Sequence, residues 1–495
     1  MRGVIWVAAI GAVFFLVSSR FRRRSPVVND WFGREQLALV VALLGTFSIV
    51  SNSDTEEVLR DPVTIERIVR GGLAVTALLI VAPILLHRIR SYTPGRRAMA
   101  GLLAYVGVAL VSTIYSAAPL VTAAKVLELT AGLAPVLAIA MGPKPRERLR
   151  STVTLSIGLV STMLAVGVVG FVVLPSFKSF GTRPGFVMQE TMVTPFASGN
   201  ALAALGATIA IFAVAKMVTT RTGRRLWIGA AVVGTSSVVL TAGRQGVVIL
   251  ILGLALVLWS ARRNLLIGLV VPAVAWVVYE YGGTLFDIFA RDREYQLVTL
   301  SGRVGWWEIA LETWSDHPWT GWGYGAGGRF VALASIGRSV GSVHSGYVEA
   351  LVGVGIVGVV GLVYALVEVV VWSVRTLRAE TAVATLIVPL ALRTGVSSGF
   401  GGWLSVEFVL FALLVAIVDQ SRIDRRHPPH RSESSDNVGY GESLTSARSM
   451  ASARRSSRRL APNRWEISSC QKATAASVRT RSSRTGSPTA FAAAK

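Results

Sequence analysis

The chain reads as an all-α polytopic membrane protein, and three features of the sequence predict it. Of 495 residues, 52% are hydrophobic and only 16% charged, against about 25% charged in soluble domains, and the mean hydropathy is +0.56. One water-facing globule could not bury so much apolar surface, which excludes a soluble enzyme. Apolar stretches of about 16 to 22 residues recur as far as residue 420 or so, close to the roughly 20 needed to cross hydrocarbon. The 48 glycines lie in this apolar background, as suits close-packed membrane helices, where Gly is more frequent than in soluble ones. No alternation of period two runs long enough to suggest a barrel.

Taken in order, hydropathy predicts spans near residues 4–19, 36–51, 71–86, 98–115, 120–141, 151–174, 196–216, 226–241, 246–260, 265–283, 346–373, 382–397 and 403–419, twelve or thirteen helices according to whether the first is retained. That first run is short, but an Arg cluster follows it where a signal peptide would show small residues and a cleavage site. It reads as a retained anchor.

The net charge of +23 would suit nucleic acid in a soluble protein. Here it resolves into alternate loops: Arg20 with Arg22 to Arg24, His87 to Arg97, Lys144 to Arg150, Lys216 to Arg225, Arg262 with Arg263, and Arg375 with Arg378. Basic loops face the cytoplasm. The other loops are short and neutral, or acidic at Asp54, Glu56 and Glu57, apart from a long one over 284–345 that is placed outside. A transmembrane domain is thus expected over 1–420. The tail over 421–495, rich in Ser, Arg, Ala and Thr, is expected to be a disordered cytoplasmic segment. Its basic runs suit membrane lipids, and without interleaved aromatics it does not suit nucleic acid. The single cysteine, Cys470, allows no intramolecular disulfide and no metal-site spacing.

Ionisable groups near a membrane are costly and mark function, and three places qualify, all on the expected outer face. The first is the hairpin Thr241-Ala242-Gly243-Arg244, where a lone cation stands against the positive-inside trend and offers bidentate donors to phosphate. The second is the long loop. Residues 303–313 there read as an amphipathic helix with Val304, Trp307, Ala310 and Leu311 on one face. A Gly-rich turn from His317 to Gly328 follows, with Gly321, Gly323 and Tyr324 suited to close approach of a ligand. Its tryptophans fit either an interfacial belt or a sugar face. The third is His344-Ser345-Gly346-Tyr347-Val348-Glu349, where a helix-start imidazole is biased toward its neutral, proton-accepting form. The acidic run Asp54 to Glu57 is a possible metal or base site. No HExxH, Cys/His cluster, Walker A or GxSxG motif occurs.

In this order, Thr241 to Arg244, Ser301-Gly302-Arg303 with Trp307, Pro318 to Gly323 in a Pro-x-x-Gly-x-Gly pattern, and His344 to Glu349 resemble the O-antigen ligase and polymerase family of bacterial envelope glycosyltransferases. The motif-bearing part covers roughly 226–370; the first half is similar only in hydropathy. Where the family commonly has Asn after the His, this chain has Ser345, and it carries one span more than the usual twelve.

The resemblance implies a GT-C-like fold in the bacterial inner membrane and an extracytoplasmic, inverting, metal-independent site that uses no cofactor. The donor it implies is a glycan on a polyprenyl diphosphate such as undecaprenyl diphosphate, and the acceptor a lipid or glycan hydroxyl. Catalytic roles then fall to His344, Arg303 and Arg244, and substrate contacts to Trp307, Gly321, Gly323, Tyr324, Tyr347 and Glu349. Two other readings are a polymerase of polyprenyl-linked repeat units and, from another class, a transporter or flippase of a polar solute. The latter would need more charge inside the spans than Lys125 and Glu128 and a visible internal repeat.

Overall fold

The computed structural model describes residues 33–47, 64–91, 97–180, 190–194, 197–261, 303–337 and 342–426. The expected spans near 4–19 and 265–283, the Asp54–Glu57 cluster, Ser301 and Gly302, and the tail beyond 426 lie outside them. The described residues form an all-α polytopic membrane protein. Five helices are long and apolar enough to cross a bilayer.

In chain order the α-helices are α1 (Arg34–Thr46), α2 (Ile65–Arg88), α3 (Arg97–Val111), α4 (Pro119–Ala140), α5 (Pro145–Val173), α6 (Gly199–Thr219), α7 (Arg224–Leu240), α8 (Arg244–Ser260), α9 (Arg303–Ser315), α10 (Gly346–Thr376), α11 (Thr381–Ala384), α12 (Ile387–Val396) and α13 (Val406–Arg426). Their starts are legible in the residues. Pro119 and Pro145 occupy first-turn positions, where the missing N–H costs nothing. Ser198 and Ser345 cap α6 and α10 by accepting from Ala201 N and Val348 N, which satisfies donors the helix leaves open. One short antiparallel hairpin, β1 (Lys178–Phe180) with β2 (Glu190–Met192), pairs Ser179 with Thr191. Three-residue strands are too short for periodicity to reveal.

The core is built around α13, which packs on α3, α4, α5 and α10 and is buried along its apolar length from Val406 to Val418, interrupted only by the buried Glu407. Glycines set the closest crossings. A Cβ on Gly101 would lie 2.7 Å from the Gly361 carbonyl oxygen, and one on Gly206 2.6 Å from that of Gly234, so α3 with α10 and α6 with α7 meet backbone to backbone. In contrast α2 is mostly exposed, with Leu79 and Leu86 each 70% accessible, as lipid-facing side chains are.

Several of the basic loops expected on one side are tied to the helices by ion pairs. At one end Glu35 binds Arg88 at 2.6 Å and Arg148 at 2.9 Å, and Glu380 binds Arg146 at 2.9 Å and also Arg150. There Asp419 accepts from the first amides of α3, Ala98 N at 3.1 Å and Met99 N at 2.8 Å. The expected span at 382–397 falls on the apolar helical stretch Thr381–Val396, shorter than a full crossing and divided into α11 and α12 at Thr385 and Leu386, whose backbone stays right-handed helical. The expected 346–373 span is a single element, α10, bent at Gly355, whose φ of 61° and ψ of −170° leave the helix.

Candidate active site

The bend in α10 organises the other end of the bundle. Breaking a helix frees backbone groups that lipid cannot satisfy, and here the segment from Pro318 to Gly323 satisfies them. Trp322 N and Gly323 N donate to the carbonyls of Val352 and Gly353, both at 2.9 Å, while Ile356 N donates to Pro318 O at 2.9 Å. A Cβ at Gly355 would collide with the Trp319 carbonyl, and one on Gly321 would sit 2.6 Å from Val352 O. Close approach explains these glycines, as expected, but the partner is the bent helix. Tyr324 is fully buried, edge-on to Tyr105 with ring centroids 6.1 Å apart. Its amide N–H is already engaged, donating to Ser112 Oγ at 3.0 Å.

The amphipathic helix expected over 303–313 is α9, with one adjustment. Ala310 is buried and packs with Trp306, Trp307 and Trp314 against Ala332, Leu333, Val343 and Val352, whereas Leu311 is 42% exposed. The inner face therefore runs through the tryptophans. Trp307 Nε1 donates to Val343 O at 2.9 Å, Trp314 Nε1 to Pro318 O at 3.1 Å, and Trp322 Nε1 to Thr313 O at 2.9 Å. The first two fix loop carbonyls and the third ties the loop back to α9, and the Trp307 bond holds the residue just before His344.

His344 sits in the left-handed region at φ 57°, a conformation that L-residues other than Asn, Asp and Gly seldom hold without support. Support comes from both sides. Glu349 Oε1 accepts from Val343 N at 2.8 Å, so the Glu reaches the His segment through the backbone. Ser342 Oγ accepts from His344 N at 3.2 Å and contacts Ser398 Oγ at 3.1 Å. The imidazole lies 5.4 Å from the Trp306 ring, centroid to centroid. Burial first, and then the Arg303 guanidinium, lower its proton affinity from the usual 6.5 to about 4. The causes here are burial and charge rather than the helix dipole expected from the sequence.

Arg303 opens α9 and donates through Nη1 to the carbonyl of Val396, the last residue of α12. Burial, and then the charge of Arg393, make its guanidinium less basic than usual. Gly346 N donates to Ser397 O at 2.7 Å, and Tyr347 OH to Ala391 O at 3.3 Å. The end of α12 and the turn after it thus form a floor beneath Arg303 and His344.

Arg244 is the first residue of α8, after Ala242 at φ 49°. Its hairpin is pressed against α6: a Cβ on Gly246 would lie 2.7 Å from Ala203 Cβ. Ala203 is one turn along α6 from Asn200, whose carbonyl accepts from Arg393 Nη1 at 3.1 Å. Arg303 and His344 are therefore brought together directly, and Arg244 stands at the same end of the bundle.

Sequence reasoning passed over Arg393 and Glu407, which pair at 2.5 Å between α12 and α13. The signal was available, since each is a charge inside an apolar run, the same rule that drew attention to Lys125 and Glu128. Those two also have partners. Glu128 binds Arg70 of α2 at 2.7 Å, and Lys125 Nζ lies 4.9 Å from the Trp403 ring centroid.

Fold and site together define a multi-pass helical membrane protein in which half-buried Arg303 and His344 are neighbours, with the Arg244 hairpin at the same end of the bundle. Residues 229–363 match the family described as O-antigen ligase. The match spans Arg244, Arg303, the Pro318–Gly323 segment, His344 and Glu349, and this part of the chain is O-antigen ligase-like. It implies a membrane glycosyltransferase-like enzyme of the ligase or polymerase type. No curated protein matches the chain in sequence.

Proposed function

We propose that the chain transfers a glycan from a polyprenyl diphosphate carrier to a hydroxyl acceptor, on the extracytoplasmic side of the bacterial inner membrane and without a metal. What carries the reading is that Arg303 lies near enough to a half-buried His344 to help lower its proton affinity. A neutral imidazole accepts the proton of the attacking hydroxyl. As the new bond from the acceptor oxygen to the anomeric carbon forms, the bond from that carbon to the diphosphate oxygen breaks, and the leaving diphosphate gains negative charge. Arg303 and Arg244 are preorganised donors for that charge. One displacement inverts the anomeric centre.

Trp307 and Glu349 hold the loop that presents His344, Tyr347 ties it to α12, and Gly321, Gly323 and Tyr324 hold the bend in α10. Substrate contact by this second set comes through the surfaces they shape. The outward orientation rests on the basic loops: the Arg88 and Arg148 end is cytoplasmic and the His344 end faces out.

The test is transfer by the purified chain from a polyprenyl diphosphate glycan to candidate acceptors, with and without EDTA. Arg303→Ala, Arg244→Ala and His344→Ala should each abolish transfer while leaving membrane insertion intact, and EDTA should leave transfer unchanged. Full activity in all three variants would put the site elsewhere, and loss in EDTA would end the metal-free mechanism. A ladder of products from donor alone identifies a polymerase; single addition to a separate acceptor identifies a ligase.

A further inference from the structure

Arg393 and Glu407 lie outside the segment that matches the ligase family and have no part in the reaction described above. A buried Arg–Glu pair is ordinarily a strut, and this one does join α12 to α13. Two observations go beyond a strut. The first is the balance of charge. Arg303 and Arg393 are close enough for the second to act on the first, His344 beside them is neutral, and Glu407 is the carboxylate paired at this spot. Two cations against one anion leave a surplus positive charge where solvent is largely excluded, and such a charge is costly until an anion meets it.

The second is the use of donors. The guanidinium of Arg393 directs Nε to Glu407 and Nη1 to Asn200 O, and Nη2 makes no hydrogen bond to any described residue. Arg303 likewise bonds through Nη1 to Val396 O. Val396 is three residues beyond Arg393, so Arg303 bonds the same last turn of α12 from which Arg393 projects. A planar fork with donors to spare beside a second one is the arrangement that binds a phosphate-type anion.

We propose that Arg393 is a further diphosphate-binding residue, paired with Arg303 at the end of α12, and that Glu407 is the counter-ion that aims its guanidinium. This rests on the diphosphate-donor reading above and adds to it a residue beyond the family segment. Arg393 also reaches α6 at Asn200, one turn from Ala203, against which the Arg244 hairpin packs.

The experiment is thermal stabilisation of the detergent-purified full chain by farnesyl diphosphate, with farnesyl monophosphate and farnesol as comparison probes. The diphosphate should stabilise the wild type most. Arg393→Gln should weaken diphosphate binding about tenfold or more, whereas Glu407→Gln, which removes a competing negative charge and keeps an acceptor for Arg393, should tighten it about threefold. A strut predicts something different: both variants weaken binding alike, and that result would overturn the assignment. Should Arg393→Gln fail to fold, Arg393→Lys carries the test, because it keeps the charge and loses the fork; unchanged diphosphate binding there would overturn the assignment too. Arg303→Gln runs in parallel. If it loses binding while Arg393→Gln keeps it, only Arg393 falls; if the wild type shows no preference for diphosphate, the donor reading falls with it.

Discussion

The acid limb of the pH–rate profile is the most direct measure of the environment of His344. The imidazole is lowered from 6.5 to about 4, by burial first and by Arg303 second. At pH 5.5 a group with that affinity is about 3% protonated, whereas an unperturbed histidine is about 90% protonated. The proton-accepting fraction at pH 5.5 is therefore about tenfold larger than in an ordinary site. Transfer should hold nearly constant from pH 7 to 5.5 and fall through an inflection near pH 4. The assay is kcat/KM for glycan transfer from pH 4 to 8, with the melting temperature followed at each pH to separate chemistry from unfolding.

Stability follows the same shift with a definite sign. The unfolded chain binds the proton at 6.5 and the folded one only near 4, so stability is full above 6.5 and declines as pH falls between those values. The loss is at most about 3 kcal/mol, and His344→Gln should remove that part of the decline. Arg303→Gln should raise the titration midpoint of the His344 imidazole, followed by NMR, but short of 6.5, because burial is the larger cause. A wild-type limb at 6.5 would refute the buried, neutral imidazole, and full activity in His344→Gln would refute its role altogether.

Three further substitutions separate the parts of the frame. Glu349→Ala removes the acceptor for Val343 N and should cost about 1.5 to 3 kcal/mol; kcat should fall far more than KM rises, since the His344 backbone loses its hold, and equal kcat would show that the loop needs no such support. Gly355→Ala meets both a φ of 61° and the Trp319 carbonyl, so denaturation in detergent should come about 2 to 4 kcal/mol earlier, and an unchanged melt would mean that α10 is not bent there. Glu35→Ala leaves Arg88 and Arg148 together without their shared carboxylate and should destabilise by about 3 kcal/mol, yet transfer per folded molecule should be unchanged because the pair lies at the far end of the bundle; a drop in kcat at full folding would contradict that separation.

Helix positions were legible because hydropathy is a local property. The expected 71–86 and 196–216 spans lie within or beside α2 and α6, with the ends extended or trimmed by caps such as Thr64 and Ser198. Breaks were not legible. Gly355 is one of several glycines in α10, and nothing in the run Gly353-Val354-Gly355 says which one leaves the helix; that is decided by Pro318 to Gly323, some thirty residues earlier in the chain. The same glycine-rich segment was visible as a place of close approach, but what approaches it is set by folding rather than by its own composition.

The site divides along the same line. His344, Arg303 and Arg244 could be picked out because they fall in loops that the basic-loop pattern assigns to the outer side, where a positive charge runs against the usual bias. Arg393 stands in an apolar run too, but its meaning depends on partners far away in sequence: Glu407 fourteen residues on, Asn200 at a separation of 193, and Arg303, which reaches across 93 residues to Val396. A sequence shows that a charge inside the bundle must be met by something. Only the packing of α12 shows that Arg393 is met by one carboxylate while Arg303 bonds a carbonyl of the same helix, and it is on that imbalance, rather than on the presence of any single residue, that the proposed anion site rests.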